Sequence, residues 1–421
     1  MIRAAKLATI GLCVGVGVAL AQPSPRGPKG SAPPSQPKGN AAAQELSRRA
    51  LRLGIDFDPE NPKAEHPSHP DAESLDAAAA YRWLTDQLGA PDESIAPAPD
   101  GLGDFLATRR DALWSVVGLL ERETLEWSSP RAEETAIPPR FAALNRLNRL
   151  LVAAALTEQR AGSAAQARRL MEASWSVYRS LSRDSDAISG SMLAFAALRL
   201  QVGALRKLPA ISVEWLDRLS RADPWKQAIS SFENEPAGLD AGDPSLGLSD
   251  SFSNVNARAR RAAADVLRRI SPCELSSLSA EQIRRPMEEE FRRSKEPGED
   301  PEEMARLLPQ IILPGLKNRL ERAGRLAVEA ELTRKILELR LARSDSRAGE
   351  WPQRLDDESS HVCAGATYGY RRSGFGMEIE FRGSPPAPDT GWTLPLSYST
   401  HGDPPPARAV SPAARPATDS N

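Results

Sequence analysis

Two histidines, His66 and His69 in the stretch EHPSHPD, have the side chains to hold a metal ion. Imidazole and carboxylate together suit zinc, and Glu65 or Asp71 could complete the set. No third strong ligand stands nearby, and Pro67 and Pro70 put the pair in a loop, so the competing reading is a solvated loop. Just upstream, Asp56, Asp58 and Glu60 (DFDPE) are carboxylates two residues apart. Glycoside hydrolysis needs two carboxyl groups facing each other across a cleft, which neighbours on one loop do not provide. The Gly and downstream Glu of an EF-hand loop are missing too, which leaves helix-terminating caps as the reading. His361 stands close to Cys363, and a Cys/His pair makes a nucleophile only where the fold joins them.

Cys273 offers Cys363 a different fate. In an oxidising compartment the two would pair, constraining the unfolded chain by roughly 4 kcal/mol in the chain-entropy model. The alternative is two separate buried thiols. The sequence has no Gly-x-Ser-x-Gly elbow, P-loop, dinucleotide fingerprint or His-Glu-x-x-His, and it implies no cofactor. Glu288, Glu289, Glu290, Arg292 and Arg293 are spaced for ion pairs along an exposed helix, which is a solvated face.

The elements that must position these residues are helical. The chain has 421 residues, 40% hydrophobic, 26% charged and only 5% aromatic, so a Leu- and Ala-based core is expected. Ala, Leu, Arg and Glu are strong helix formers. A net charge of −2 argues against a general nucleic-acid binder. Residues 1–21 have the pattern of a secretory signal: Arg3 and Lys6, an apolar run from Leu7 to Leu20, and Ala19-Leu20-Ala21 before the cut. Removing those two cations takes the net charge from −2 to −4. The expected location is periplasmic or secreted, with no membrane span left after cleavage.

Residues 22–40 read as a disordered Pro-rich linker and 401–421 as a disordered tail. Between them, 41–345 reads as an α-helical domain, with 236–250 as a possible hinge, and 346–400 as a small β-containing module. At the centre, Leu144, Leu147, Leu151 and Ala154 make one helical stripe, and Ala167, Met171, Trp175, Tyr178 and Leu181 another. Gly162 and Ser163 lie between them as C-cap and N-cap. Ile188 to Leu198 is apolar nearly all round and must be a core helix, since Arg199 ends the run short of a membrane span. Asp104 to Leu125 reads as one helix with Phe105, Leu113, Val117 and Leu120 inward. Pro314 opens another, carrying apolar stripes on two sides to about Arg343. Beyond it, residues 366–371 and 375–381 alternate around Ser373-Gly374 as a β-hairpin, and Trp392 to Tyr398 would add a third strand. Trp83, Trp114, Trp175, Trp215 and Trp225 read as core packing, or as the lining of a concave surface that could hold a peptide.

The fold expected is therefore mainly α: a multi-helix hairpin bundle ending in a small β-containing module. In Gly162, Ala167 and Met171 the central hairpin resembles the second half of a tetratricopeptide unit, which implies helical-hairpin packing. The C-terminal part, with Gly349-Glu350-Trp351-Pro352-Gln353-Arg354-Leu355, Tyr368-Gly369-Tyr370-Arg371 and the strand after Gly376, is similar to type II secretion pseudopilins. That likeness implies a small α/β end module. The leading functional expectation is an exported, non-catalytic binding or scaffold protein whose helical hairpins bind another protein of the cell envelope. The alternatives are an enzyme of unfamiliar type, hydrolase-like and metal-dependent, at Asp56, Asp58, His66 and His69, or a secretion-system accessory protein.

Overall fold

The computed structural model describes residues 41–57, 77–125, 139–183, 188–209, 212–234, 250–293, 301–346, 348–388 and 392–400. The signal pattern, the linker, all of the hinge candidate 236–250 but its last residue, and the tail lie outside these residues. Twelve α-helices and one three-stranded sheet are described. The helices are α1 (Ala41–Leu51), α2 (Ala77–Gly89), α3 (Asp100–Thr108), α4 (Arg110–Leu120), α5 (Pro139–Arg160) and α6 (Ala164–Arg183). They continue with α7 (Ile188–Lys207), α8 (Glu214–Arg221), α9 (Pro224–Asn234), α10 (Asp250–Leu267), α11 (Ala280–Arg293) and α12 (Pro301–Asp345). A 3-10 turn, Pro272–Ser277, joins α10 to α11. The mainly α architecture with a small β-containing end is the one expected.

The central stripes are buried as their spacing requires. Leu144, Leu147 and Leu151 on α5 and Ala167, Met171 and Leu181 on α6 are at most 1% exposed. Between them Gly162 takes φ +81°, a conformation that costs glycine nothing, and the Ser163 amide reaches back to Glu158 O at 2.8 Å. The apolar run of α7 does not stop at Arg199. The helix continues to Lys207 and buries Arg199, because Glu329 on α12 faces it at 2.8 Å. A pattern that treats charge as exposure ends such a helix too early.

Two other expectations are corrected. The stretch from Asp104 to Leu125 is two helices, broken at Arg109 (φ −102°, ψ 16°). The break lets both Leu102 and Leu113 reach the core, and leaves Phe105 only half-buried. Conversely, Pro314 does not open a helix: α12 runs unbroken over 45 residues through Pro309 and Pro314. Each proline removes a hydrogen bond, at a cost of about 3 kcal/mol in a helix interior. Buried Ala305 before the prolines and Leu316 and Leu320 after them keep both halves on the same core. The helix is the spine of the molecule, packing against α7, α8, α9, α11, the 3-10 turn and β2.

The strands β1 (Thr367–Ser373), β2 (Gly376–Arg382) and β3 (Ser397–Thr400) form an antiparallel sheet in the order β1-β2-β3. Gly374 closes the hairpin at φ +55°, pairing Ser373 with Gly376. Tyr368, Met377, Ile379 and Tyr398 point from the sheet onto Leu332, Ile336 and Leu339 of α12, together with Trp351 and Leu355. The third strand is shorter than expected. Residues 392–395 run instead as a strap over α7 and α12, with the carbonyl groups of Trp392, Leu394 and Pro395 taken by arginines, and the first carbonyl to meet β2 is that of Leu396, which accepts the Phe381 amide at 2.8 Å.

Candidate functional site

Behind the sheet lies a seam of buried charge. Glu329, wholly buried, pairs with Arg199 at 2.8 Å and with Arg325 at 3.1 Å, and accepts the Leu394 amide at 2.9 Å. Arg206 donates to Thr333 Oγ1 at 2.7 Å, Glu329 O at 2.9 Å and Pro395 O at 2.6 Å. Burial pushes the Arg206 guanidinium down to about 10, although Glu329 beside it pulls the other way. Arg340 donates to the carbonyls that end α7 (Leu205, Arg206 and Leu208) and to the Tyr398 hydroxyl. Lys207 fixes the loop after α2 through the carbonyls of Ala90, Asp92 and Ser94. Burying charges costs heavily unless the donors are met, and here Glu329, the Thr333 hydroxyl and carbonyl groups of both helices and loops meet them. The seam docks the strap and the sheet on the helices.

Two residues further along α12, the buried Glu331 performs a related task. Its carboxylate accepts the Ser360 hydroxyl (2.5 Å), the His361 amide (2.6 Å) and the Tyr368 hydroxyl (2.8 Å). Lys335 donates to Asp357 O at 2.6 Å. These contacts fix the loop 357–363, and the Cys273–Cys363 disulfide ties its far end to the 3-10 turn.

Between that loop, α12, the α8–α9 turn and the end of α10 lies a groove of about 690 Å³. Its apolar lining includes Trp225, Ile229, Ile270, Pro272 and Val362. Lys226, Arg268, Arg269 and Arg334 line it too, against two carboxylates, Asp223 and Glu331. Both carboxylates are engaged by the fold. Glu331 has its three donors, and Asp223 accepts the Lys226 amide at 3.0 Å as a cap for α9 while pairing with the Lys226 ammonium at 3.1 Å.

Of the residues singled out from sequence, His66, His69, Asp58 and Glu60 lie outside the described residues, as do Glu65 and Asp71. Asp56 is half-buried just after α1. Among the described residues, no cluster of three His, Cys, Asp or Glu side chains is placed to hold a metal. The cysteines are joined, and His361 pairs with Asp357 at 2.7 Å, so no Cys/His nucleophile forms. Asp357 is held below the usual carboxylate range, chiefly by the Ser359 amide and then by Lys335 and His361. Along α11 the ion pairs form as spaced, although Glu288 is buried between Arg284 and Arg292. Trp83, Trp175 and Trp215 are core, Trp114 is half-buried, and Trp225 lines the groove.

The cationic lining was not found from sequence. No helix among the described residues is long and apolar enough to cross a membrane. Comparison with protein-family models, with curated proteins and with solved structures finds no match to this chain.

Proposed function

We propose that this chain is an exported, non-catalytic binding protein that presents its groove to another protein of the cell envelope. The observation that carries the reading is a preformed concave surface with an apolar lining, built from α9, α10, α12 and the loop 357–363 and cross-tied by a disulfide. Binding sites for segments of partners are of this kind, with a mostly apolar lining and a few placed polar groups. A rigid wall favours binding because less freedom is lost on association. Export is supported by the N-terminal pattern of residues 1–21, and a disulfide persists in the compartment to which that pattern leads.

Cross-linking the tagged chain in its native cell envelope, followed by affinity capture and mass spectrometry, tests the proposal. One dominant, stoichiometric protein partner is the expected result. A solitary chain, or turnover by the purified protein on generic esters, glycosides or peptides, would remove it.

A further inference from the structure

We infer that the groove takes an acidic, amphipathic peptide segment of the partner, its apolar side chains on the half-buried Ile270 and Val362 and its carboxylates on the cations of the lining. The inference rests on the binding reading above and adds the chemistry of the occupant. Charge is the first reason. The chain as a whole is slightly acidic, with a net charge of −2, yet four cations line this groove against two carboxylates. Those two carboxylates are turned to internal tasks, capping α9 and holding the loop 357–363. The cations are less occupied. The Arg269 side chain is exposed and makes no hydrogen bond or ion pair among the described residues. Lys226 reaches only Asp223, with most of its side chain in solvent, and Arg334 stands 3.5 Å from Glu338. Arg268 alone is firmly paired, to Glu233 and Asp265.

Shape is the second reason. Apolar residues and cations line the same groove, and the small side chains of Ala327 and Ala330 on α12 line it together with Trp225 and Pro272. An occupant that buries apolar groups and meets cations must itself carry both. A volume of about 690 Å³ holds a short segment, not a folded domain. An extended peptide with alternating acidic and apolar residues satisfies both conditions, since its successive side chains point to opposite sides.

The test uses the full mature chain with its disulfide formed, and fluorescence anisotropy of a labelled hexapeptide of alternating Glu and Leu. A peptide with Lys in place of Glu is the counter-probe. The Glu/Leu peptide is expected to bind, and both Arg269→Glu and Lys226→Glu should weaken it by about tenfold or more. Salt at about 1 M, where the Debye length is about 3 Å, should weaken it as well. Both side chains are exposed, so melting curves of the variants should match the parent. Equal binding of the two peptides, no binding, or indifference to Arg269→Glu would overturn the inference. So would decanoate occupying the groove where the peptide does not. The envelope capture repeated with Arg269→Glu separates the two claims. A partner retained by the variant refutes the acidic occupant and leaves the binding reading standing. No partner on the parent chain removes both.

Discussion

The hydroxyl of Tyr368, on the first strand of the sheet, donates to the carboxylate of Glu331 on the long helix at 2.8 Å, and both groups are buried. Burial and that carboxylate together push the Tyr368 hydroxyl far above its ordinary value, so it stays a donor at every physiological pH. The pair joins sheet to helix at the point where Glu331 also sets the groove wall. Tyr368→Phe removes one of three donors from a buried carboxylate. A loss of about 1–3 kcal/mol is expected, the usual cost of stranding a buried polar group. The same change at Tyr370, whose half-exposed hydroxyl meets only Pro352 O at 2.8 Å, should cost less. Urea unfolding of the two variants side by side makes the comparison, and an equal loss would contradict it.

The disulfide encloses a long loop, with 90 residues separating Cys273 from Cys363. Its removal should cost about 4 kcal/mol in the chain-entropy model. Because each cysteine directly follows a groove-lining residue, Pro272 or Val362, the cost should include the groove wall. Hydrogen exchange of the Cys273→Ser/Cys363→Ser chain should show faster exchange in 357–363, while the α5–α6 hairpin remains protected. Protection unchanged in the loop would mean that Glu331 and Lys335 hold the wall alone.

Much of the helical body was legible because apolar spacing and glycine punctuation act locally. Gly162 and Gly374 each mark a turn that only local geometry requires, and both turns form. What sequence did not reveal were interactions between segments far apart in the chain. Arg199, Arg206 and Arg340 carry no local pattern that marks them as buried, yet each donates to carbonyl groups of segments far away in the chain. Those same carbonyls explain why the third strand begins at Ser397 and not at Trp392. The groove combines the ends of α8, α9 and α10, the face of α12 and a loop near Cys363, and no single stretch carries a recognisable pattern for it.

Alkaline pH should destabilise the fold. Tyr178 and Tyr398 are each pushed up to about 12, chiefly by burial. Their folded values lie above the ordinary 10, so the stability they secure is complete below pH 10 and is lost as pH rises toward 12. Two pH units correspond to roughly 3 kcal/mol for each residue. Arg206, pushed down to about 10, acts in the opposite direction over the range above pH 10. Two tyrosines outweigh one arginine, and the urea midpoint should fall between pH 10 and 12. Tyr178→Phe should flatten that fall, and an unchanged slope in the variant would count against the argument.

Gly203 tests how tightly the strap, α2 and α7 are packed together. It lies in the interior of α7, where alanine would ordinarily gain about 1 kcal/mol from helix propensity. A Cβ at this position would meet Leu394 Cδ2 at 2.9 Å and Leu88 Cβ at 3.1 Å, from the strap and from α2. Leu394 cannot yield freely, because its amide is held by Glu329 and its carbonyl by Arg325. Overpacking of this kind costs about 1–3 kcal/mol, so Gly203→Ala should destabilise despite the propensity gain. In contrast, Gly118 near the end of α4 has open space where a Cβ would stand, and Gly118→Ala should stabilise. Thermal melts should show opposite signs at the two positions. A gain at Gly203 would mean that the strap is loosely seated and that the buried seam beneath it does not fix its position.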